Sequence, residues 1–294
     1  MNCRLIYFPD CEGPALRLAQ YAGLDSARIE VHHFPDGESL VTLPRLDAEN
    51  VCIYRSLNQP NEKLVELLLA AKGCRESGAR RLVLVAPYLA YMRQDKAFKK
   101  GQVVSQRVIG RLLSDLFDGV VTVDAHLHRV RNINEVLPGC KGVNLKTAEL
   151  TASYIKENYS EPPFILGPDE ESLQWVKSMA QVGGFEYGVC KKVRYGDASV
   201  RVEIPRLALK NRQIILVDDI VSTGHTFSSS AKGLVERGVR DIHCIVTHAL
   251  FVRGASSLLR KSGIKRIIST DTVPHSSNRI FIAPIVAKAL SDLI

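Results

Sequence analysis

The 294-residue sequence is poor in the features that mark secreted, membrane-bound or nucleic-acid-binding chains. Its seven cysteines are odd in number, scattered, and include no C-x-x-C pair. That excludes a disulfide framework and offers no zinc-ligand spacing. Most of them fall in apolar, strand-like stretches and read as reduced residues of a cytoplasmic protein. No apolar run approaches the ~20 residues that span a bilayer. The first residues, MNCRLIYFPD, are too short and wrongly flanked for a signal peptide. Long Lys/Arg tracts and aromatic-interleaved RNA motifs are also missing. The net charge of +8 therefore points to small phosphorylated substrates rather than to nucleic acid or membrane, with a merely solvated basic surface as the alternative.

What is present is alternation. Short β-rich runs (CRLIYF, VCIYRS, RLVLVAP, GVVTVDA, PFILGPD, IILVDD, IHCIVTH, RIISTD) are separated by helix-like segments such as residues 62–75 and 226–237. In the second of these, Phe227, Ala231, Leu234 and Val235 share one helical face. A hydrophobic content of 46% supports at least one sizeable core. The pattern predicts an α/β fold with largely parallel sheets, whose sites sit at strand carboxyl ends. Residues 51–88 and 214–248 share one plan: strand, polar loop, helix, glycine, arginine, strand. Gly78 and Gly238 occupy equivalent places, and Arg55-Ser56 stands where the second copy has Asp218-Asp219. Either the chain is a duplicated domain joined near residues 140–147, or two similar units coincide by chance.

The segment IILVDDIVSTGHTF (residues 214–227) runs an apolar strand into two carboxylates, then into small hydroxylated residues and a glycine before a helix. Backbone N–H groups at a helix N-terminus, with Ser222, Thr223 and Thr226 hydroxyls and a permissive Gly224, make a phosphate cradle. His225 lies inside it. Asp218 and Asp219 then suit vicinal sugar hydroxyls or a hydrated divalent cation. Ribose 5-phosphate carries both groups. Neither a G-x-x-x-x-G-K-[ST] loop nor a G-x-G-x-x-G turn occurs. Elsewhere, Arg93 and Gln94 offer donors for phosphate oxygens, with Lys96, Lys99 and Lys100 nearby. Asp124 and His126, two apart at the end of a strand, are expected on one face of the sheet, where the imidazole serves a metal or packs structurally.

The segment at residues 214–227 resembles the phosphoribosyl-pyrophosphate (PRPP) motif shared by type I phosphoribosyltransferases and PRPP synthetases. FPDGE (residues 34–38), APYLAYMRQDKA (86–97) and VTVDAH (121–126) look like three motifs of ribose-phosphate pyrophosphokinases in the right order. The resemblance implies two similar phosphoribosyltransferase-like (type I) domains, each a mostly parallel sheet flanked by helices. It places an ATP-site domain at residues 1–143 and a ribose-5-phosphate domain at 144–280, with a C-terminal helix of about 281–294 packing back on the first. It implies transfer of a pyrophosphoryl group from ATP to ribose 5-phosphate, Mg2+ as cofactor, and a homo-oligomer built as a dimer or multiple of dimers.

For the site, the resemblance assigns Phe34, Asp36, Glu38, Arg93, Gln94 and Asp95 to ATP. Phe34 stacks on adenine in that scheme, although FPDGE reads equally as a simple turn. Asp169, Asp218, Asp219, Ser222, Thr223, Gly224, His225 and Thr226 are assigned to ribose 5-phosphate, and His126 and Asp169 to the metal. Lys192 and Arg194, in CKKVRYGD, are the catalytic cations on a loop, with Lys191 the competing lysine in another register. The chain departs from the family pattern at Glu170-Glu171-Ser172, where Gly-Gly is usual, and at residues 127–139 (LHRVRNINEVLPG), where a Gln-Gly-Phe-Phe stretch is missing. These traits resemble compact, archaeal-like forms. A non-catalytic regulatory paralogue and a PRPP-consuming phosphoribosyltransferase are the alternative functions.

Overall fold

The computed structural model describes residues 3–195, 199–205 and 209–294, with side chains described for all of these except 192–195 and 199–202. The chain forms two compact units: residues 1–146 with 272–274 and 282–294, and residues 147–271 with 275–281.

The first unit contains β1 (Cys3–Tyr7), α1 (Glu12–Ala22), β2 (Asp25–Arg28), the hairpin strands β3 (Glu30–His33) and β4 (Ser39–Thr42), β5 (Asn50–Tyr54), α2 (Pro60–Glu76), β6 (Arg81–Val85), α3 (Ser105–Leu116), β7 (Gly119–Val123) and β8 (Lys141–Leu145). Its six-stranded sheet runs β2-β1-β5-β6-β7-β8, with every pair parallel.

The second unit contains α4 (Ala148–Asn158), β9 (Phe164–Gly167), α5 (Leu173–Gly183), β10 (Tyr187–Val189), the hairpin strands β11 (Lys191–Tyr195) and β12 (Ser199–Glu203), β13 (Gln213–Val221), α6 (His225–Glu236), β14 (Asp241–Ala249), α7 (Ala255–Lys261), β15 (Ile264–Thr270) and β16 (Asn278–Ile280). Its sheet runs β10-β9-β13-β14-β15-β16, again all parallel. The two orders correspond strand for strand, each with an antiparallel hairpin inserted before the third sheet strand. The plan legible in residues 51–88 and 214–248 is thus part of a whole-unit correspondence. Gly78 and Gly238, at φ 95° and 83°, end the equivalent helices in the left-handed region that glycine adopts without steric cost.

Strand periodicity explains the layers of the second unit. Ile214 and Leu216 join Phe227, Ala231 and Leu234 of α6 and Leu259 of α7 in one core. Ile215 and Val217 join Ala152 and Ile155 of α4 and Val176, Met179 and Ala180 of α5 in the other. Adjacent residues of one strand feed opposite faces because side chains alternate. A parallel sheet buried on both faces needs a continuous apolar run, which Ile214–Val217 supplies. In the first unit, the helix packed beside α1 is α8 (Ala283–Ser291), from the end of the chain. In the second unit α4, just ahead of its sheet, packs beside α5.

Strand order reverses between β1 and β5 in one sheet and between β9 and β13 in the other. Open α/β sheets bind ligands at the carboxyl ends of the strands at such reversals.

Candidate active site

In the second unit, Pro168 and Asp169 follow β9, and the acidic pair lies in β13. The strand continues past the acids to Val221, so Asp218 and Asp219 sit inside it rather than at its end. Asp218 pairs with Val246 and Ile220 with His248 of β14, in one constant register. Asp219 is buried, and its N–H donates to Asp218 Oδ1 at 2.9 Å. Burial first, then the charges of Asp219 and Asp169, push the Asp218 carboxyl well above its ordinary range. Mutual repulsion of this kind favours a proton, a hydroxyl donor or a cation beside the acids.

The cradle beyond the acids is short. Ser222 and Thr223 lead to Gly224, the N-cap of α6 at φ 78°, and α6 begins at His225. A Cβ on Gly224 would lie 3.2 Å from Leu259 Cδ2. Ser228 N–H donates to the Gly224 carbonyl at 2.8 Å, and Val252 N–H to the Ser222 carbonyl at 3.1 Å, which fixes both ends of the loop. The first N–H groups of an α-helix have no intrahelical acceptor, so this turn presents donors to an anion. His225 and Thr223 are exposed; Ser222 and Thr226 are half-buried.

Asp169 is buried and has a local task. Its Oδ1 accepts from Glu171 and Ser172 N–H (3.1 and 3.3 Å) and caps the 3-10 turn Glu170–Ser172. The departure from Gly-Gly is thereby accounted for locally. Ser172 Oγ donates to the Asp169 carbonyl, and it fills the space a Cβ on Gly167 would need, 2.1 Å away. Lys191, Lys192 and Arg194 all lie in β11, where Lys192 pairs with Val202 and Arg194 with Val200. The side chains of Lys192 and Arg194 fall outside the described residues; Lys191 is exposed.

In the first unit, FPDGE joins β3 to β4. Phe34 N–H donates to the Glu38 carbonyl (2.8 Å), Gly37 N–H to the Phe34 carbonyl (2.9 Å) and Glu38 N–H to Asp36 Oδ1 (3.2 Å), with Gly37 at φ 95°. The segment is a tight turn by its own chemistry. It also presents the Phe34 ring, 42% exposed and edge-on to His32 at 4.8 Å. Glu66 of α2 anchors both of its strands. It accepts from His33 Nε2 at 2.7 Å and Ser39 Oγ at 3.0 Å.

Arg93, Gln94 and Asp95 follow β6. Arg93 is exposed. Gln94 Oε1 accepts from Ser105 Oγ at the start of α3 (3.0 Å), and Asp95 is paired with Arg129 at 2.6 Å. Of the three, Arg93 is the one whose charge faces solvent, while Gln94 and Asp95 hold the segment in place. The strand expected to end in Asp124 and His126 ends at Val123. Asp124 has φ 39° and is buried with Lys146 Nζ at 3.5 Å from its carboxylate. The alternation that would place Asp124 and His126 on one face therefore stops before them. His126 Nε2 instead meets His128 Nε2 at 2.7 Å. His128 and Arg129 are the residues that motif reading passed over. The H-x-H spacing was the available signal. Among the described residues, no group of three or more His, Cys, Asp and Glu is arranged to hold a metal ion.

Comparison with known proteins gives concordant results. Residues 5–116 match the family model for the N-terminal domain of ribose phosphate pyrophosphokinase, and residues 141–284 match that of the phosphoribosyl transferase domain. A ribose-phosphate pyrophosphokinase of Methanopyrus kandleri is 33% identical over 293 residues, covering 98% of this chain and 99% of its own. One from Methanosarcina acetivorans is 32% identical over 291 residues, covering 99% and 100%. In fold, the chain is similar to the phosphoribosylpyrophosphate synthetase of Mycobacterium smegmatis, with a TM-score of 0.85, 24% identity, and coverage of 99% and 98%.

Proposed function

The chain belongs to the ribose-phosphate pyrophosphokinase family, and from that premise we propose that it transfers a pyrophosphoryl group from Mg-ATP to ribose 5-phosphate, giving PRPP and AMP. The observation that carries this reading is the build of the β13–α6 segment. It offers a left-handed glycine and a helix start suited to a phosphate, and, a few residues earlier, Asp218 and Asp219 suited to a sugar diol.

The anomeric hydroxyl attacks the β-phosphorus of ATP. An O–P bond forms there, the bond to the α,β-bridging oxygen breaks, that oxygen leaves with AMP, and the hydroxyl proton is released to solvent. Charge spreads over phosphoryl oxygens in the transition state, so the protein supplies position and positive charge rather than a nucleophile. Asp218 and Asp219 orient the sugar, and Ser222, Thr223, Gly224, His225 and Thr226 receive its phosphate. Arg93 meets the polyphosphate, and the Phe34 ring meets the base beside Asp36 and Glu38. Lys192 and Arg194 meet the developing charge. In the second unit Asp169 and the pair Asp218–Asp219, and separately in the first unit His126, are the residues the family resemblance assigns to Mg2+, which would neutralise phosphate charge when bound. The enzyme acts in the cytoplasm as a homo-oligomer. Seven buried free thiols support the reducing compartment, and no described helix is long and apolar enough to cross a membrane.

The test is incubation with Mg2+, ATP and ribose 5-phosphate, separating nucleotides and sugar phosphates by chromatography. AMP and PRPP should appear in equal amounts. ADP with a singly phosphorylated anomeric product would make the chain an ordinary kinase, and absence of any product would end the proposal.

A further inference from the structure

Among the described residues, four other than glycine have positive φ. Three of them, Gln59 at 53°, Tyr91 at 65° and Asp124 at 39°, follow β5, β6 and β7, which are neighbours in the first sheet. A side chain in that conformation crowds its own backbone, so surrounding contacts must hold it there, and such residues gather at functional sites. Here the contacts converge on one segment. The Tyr91 hydroxyl donates to Oδ1 of Asn61, the second residue of α2 and two positions after Gln59. Gln106 of α3 is buried; its Nε2 donates to the Met92 carbonyl at 3.2 Å and its backbone N–H to the Gln94 carbonyl at 3.3 Å. Arg129, five residues after Asp124, pairs with Asp95 at 2.6 Å. The Asp95 side chain is 4% exposed and that of Arg129 51%, so the cation compensates a buried carboxylate from the solvent side. Residues 91, 92, 94 and 95 are each tied to a neighbouring element, and Arg93 between them is exposed.

An exposed arginine on a loose loop spreads over many conformations and loses that freedom when it binds an anion. Fixing the backbone on both sides removes part of that cost and aims the charge before the anion arrives. We propose that Asn61 and Arg129 are positioning residues for Arg93. Asn61 acts from the start of α2 through Tyr91, and Arg129 from the loop after β7 through Asp95. Neither touches the ligand; both act by holding residues 91–95 so that the Arg93 guanidinium meets a polyphosphate. The inference deepens the pyrophosphoryl-transfer reading and rests on it for the identity of that anion.

Calorimetric titration of the full-length protein with inorganic tripolyphosphate, without nucleotide or sugar, tests it. Arg93→Gln, Asn61→Ala and Arg129→Gln should each weaken binding about tenfold. Added to Arg93→Gln, neither of the other two changes should weaken it further, because both act through that side chain. Arg129→Lys, which keeps the single contact to Asp95, should recover most of the affinity. Amide hydrogen exchange across residues 91–95 should quicken in Asn61→Ala and Arg129→Gln, with far-UV circular dichroism unchanged. Losses that add in the double variants would make both residues general supports and overturn the proposal. So would unchanged affinity in both single variants, or failure of the unsubstituted protein to bind tripolyphosphate. If Arg129→Gln does not fold, the cycle between Asn61 and Arg93 decides alone. No turnover is involved, so an inactive protein with this coupling keeps the inference and loses the proposed reaction. An active protein without the coupling does the reverse.

Discussion

The loop after β5 and the loop after β13 occupy the same place in two sheets of one topology, yet one is filled by its own ion pairs and the other turns through a left-handed glycine into a helix start. After β5, Arg55 is buried and stacks on the Phe8 ring at 3.8 Å. Its guanidinium pairs with Glu66 at 2.5 Å and with Asp10 at 3.6 Å, and Lys63 reaches Asp10 and the Ser56 carbonyl. Ser56 Oγ donates to the Thr272 carbonyl. The helix that follows starts with a proline, after Gln59 at φ 53°. Proline removes one of the free N–H groups that make a helix start attractive to phosphate. In β13 two carboxylates inside the strand replace Arg55-Ser56, and beyond the strand a glycine takes the left-handed position and α6 begins without proline. The comparison teaches that duplication of a sheet does not duplicate its site. Open sheets of this kind form a crevice at a strand-order reversal, and in the first unit side-chain charge closes that place with internal ion pairs.

The largest expected effect attacks the closed copy. Glu66→Leu leaves the buried Arg55 with only its longer contact to Asp10 and should lower urea-measured stability by about 3 kcal/mol. A loss below 1 kcal/mol would mean that the network fills space without holding it. Next, Lys192→Ala should lower kcat on the order of 10²–10³-fold, with the binding of both substrates little changed. Unchanged turnover, with the loss found in Lys191→Ala instead, would reassign the catalytic lysine. The mirrored change Arg55→Met should leave the KM for ribose 5-phosphate unaltered while lowering stability. A raised KM would break the claim that only one copy holds the sugar phosphate.

A smaller effect is expected at Gly224→Ala, where a Cβ meets Leu259 and the left-handed conformation costs about 1–2 kcal/mol. The same change at Gly139, also left-handed but with nothing within 4 Å, should cost the backbone strain alone. Ribose-5-phosphate affinity should fall only in the first.

The smallest effect is pH-dependent. Burial alone raises the Glu66 carboxyl, but hydrogen bonds from Arg55, His33 and Ser39 and the Arg55 charge outweigh it and hold the group below its ordinary value of 4.5. Its contribution is therefore complete above about pH 4.5 and is lost as pH falls through the depressed native value. The stability gap between the unsubstituted protein and Glu66→Gln should narrow below that pH. A gap that is constant down to pH 3 would detach the network from Glu66 ionisation.

Much of this was legible in the chain itself. Apolar runs such as Ile214–Val217, alternating with amphipathic segments, carry the two parallel sheets, because strand and helix periodicity are local properties. The positive φ of Gly78, Gly224 and Gly238 follows from residue type, as do the PDG turn and the buried, reduced cysteines. Residues 34–38, 86–97, 121–126 and 214–227 carry the family. Less legible was where strands stop. β13 runs three residues past Asp218, and β7 stops one residue before Asp124, because pairing with a neighbouring strand, not propensity, sets those ends.

Only the tertiary structure decided what each polar side chain does. Sequence places Arg55 near nothing acidic, yet it finds Asp10 and Glu66 from other elements, and Ser56 finds Thr272, 216 positions away. Asp169 caps a turn, Gln94 and Asp95 hold a segment, and α8 packs beside α1 although nearly the whole chain separates them. The physical reason is the range of the forces. Backbone sterics and periodic burial act over a few residues and are written in order along the chain. A buried charge must find its partner wherever folding brings one, and that position is a property of the packed molecule.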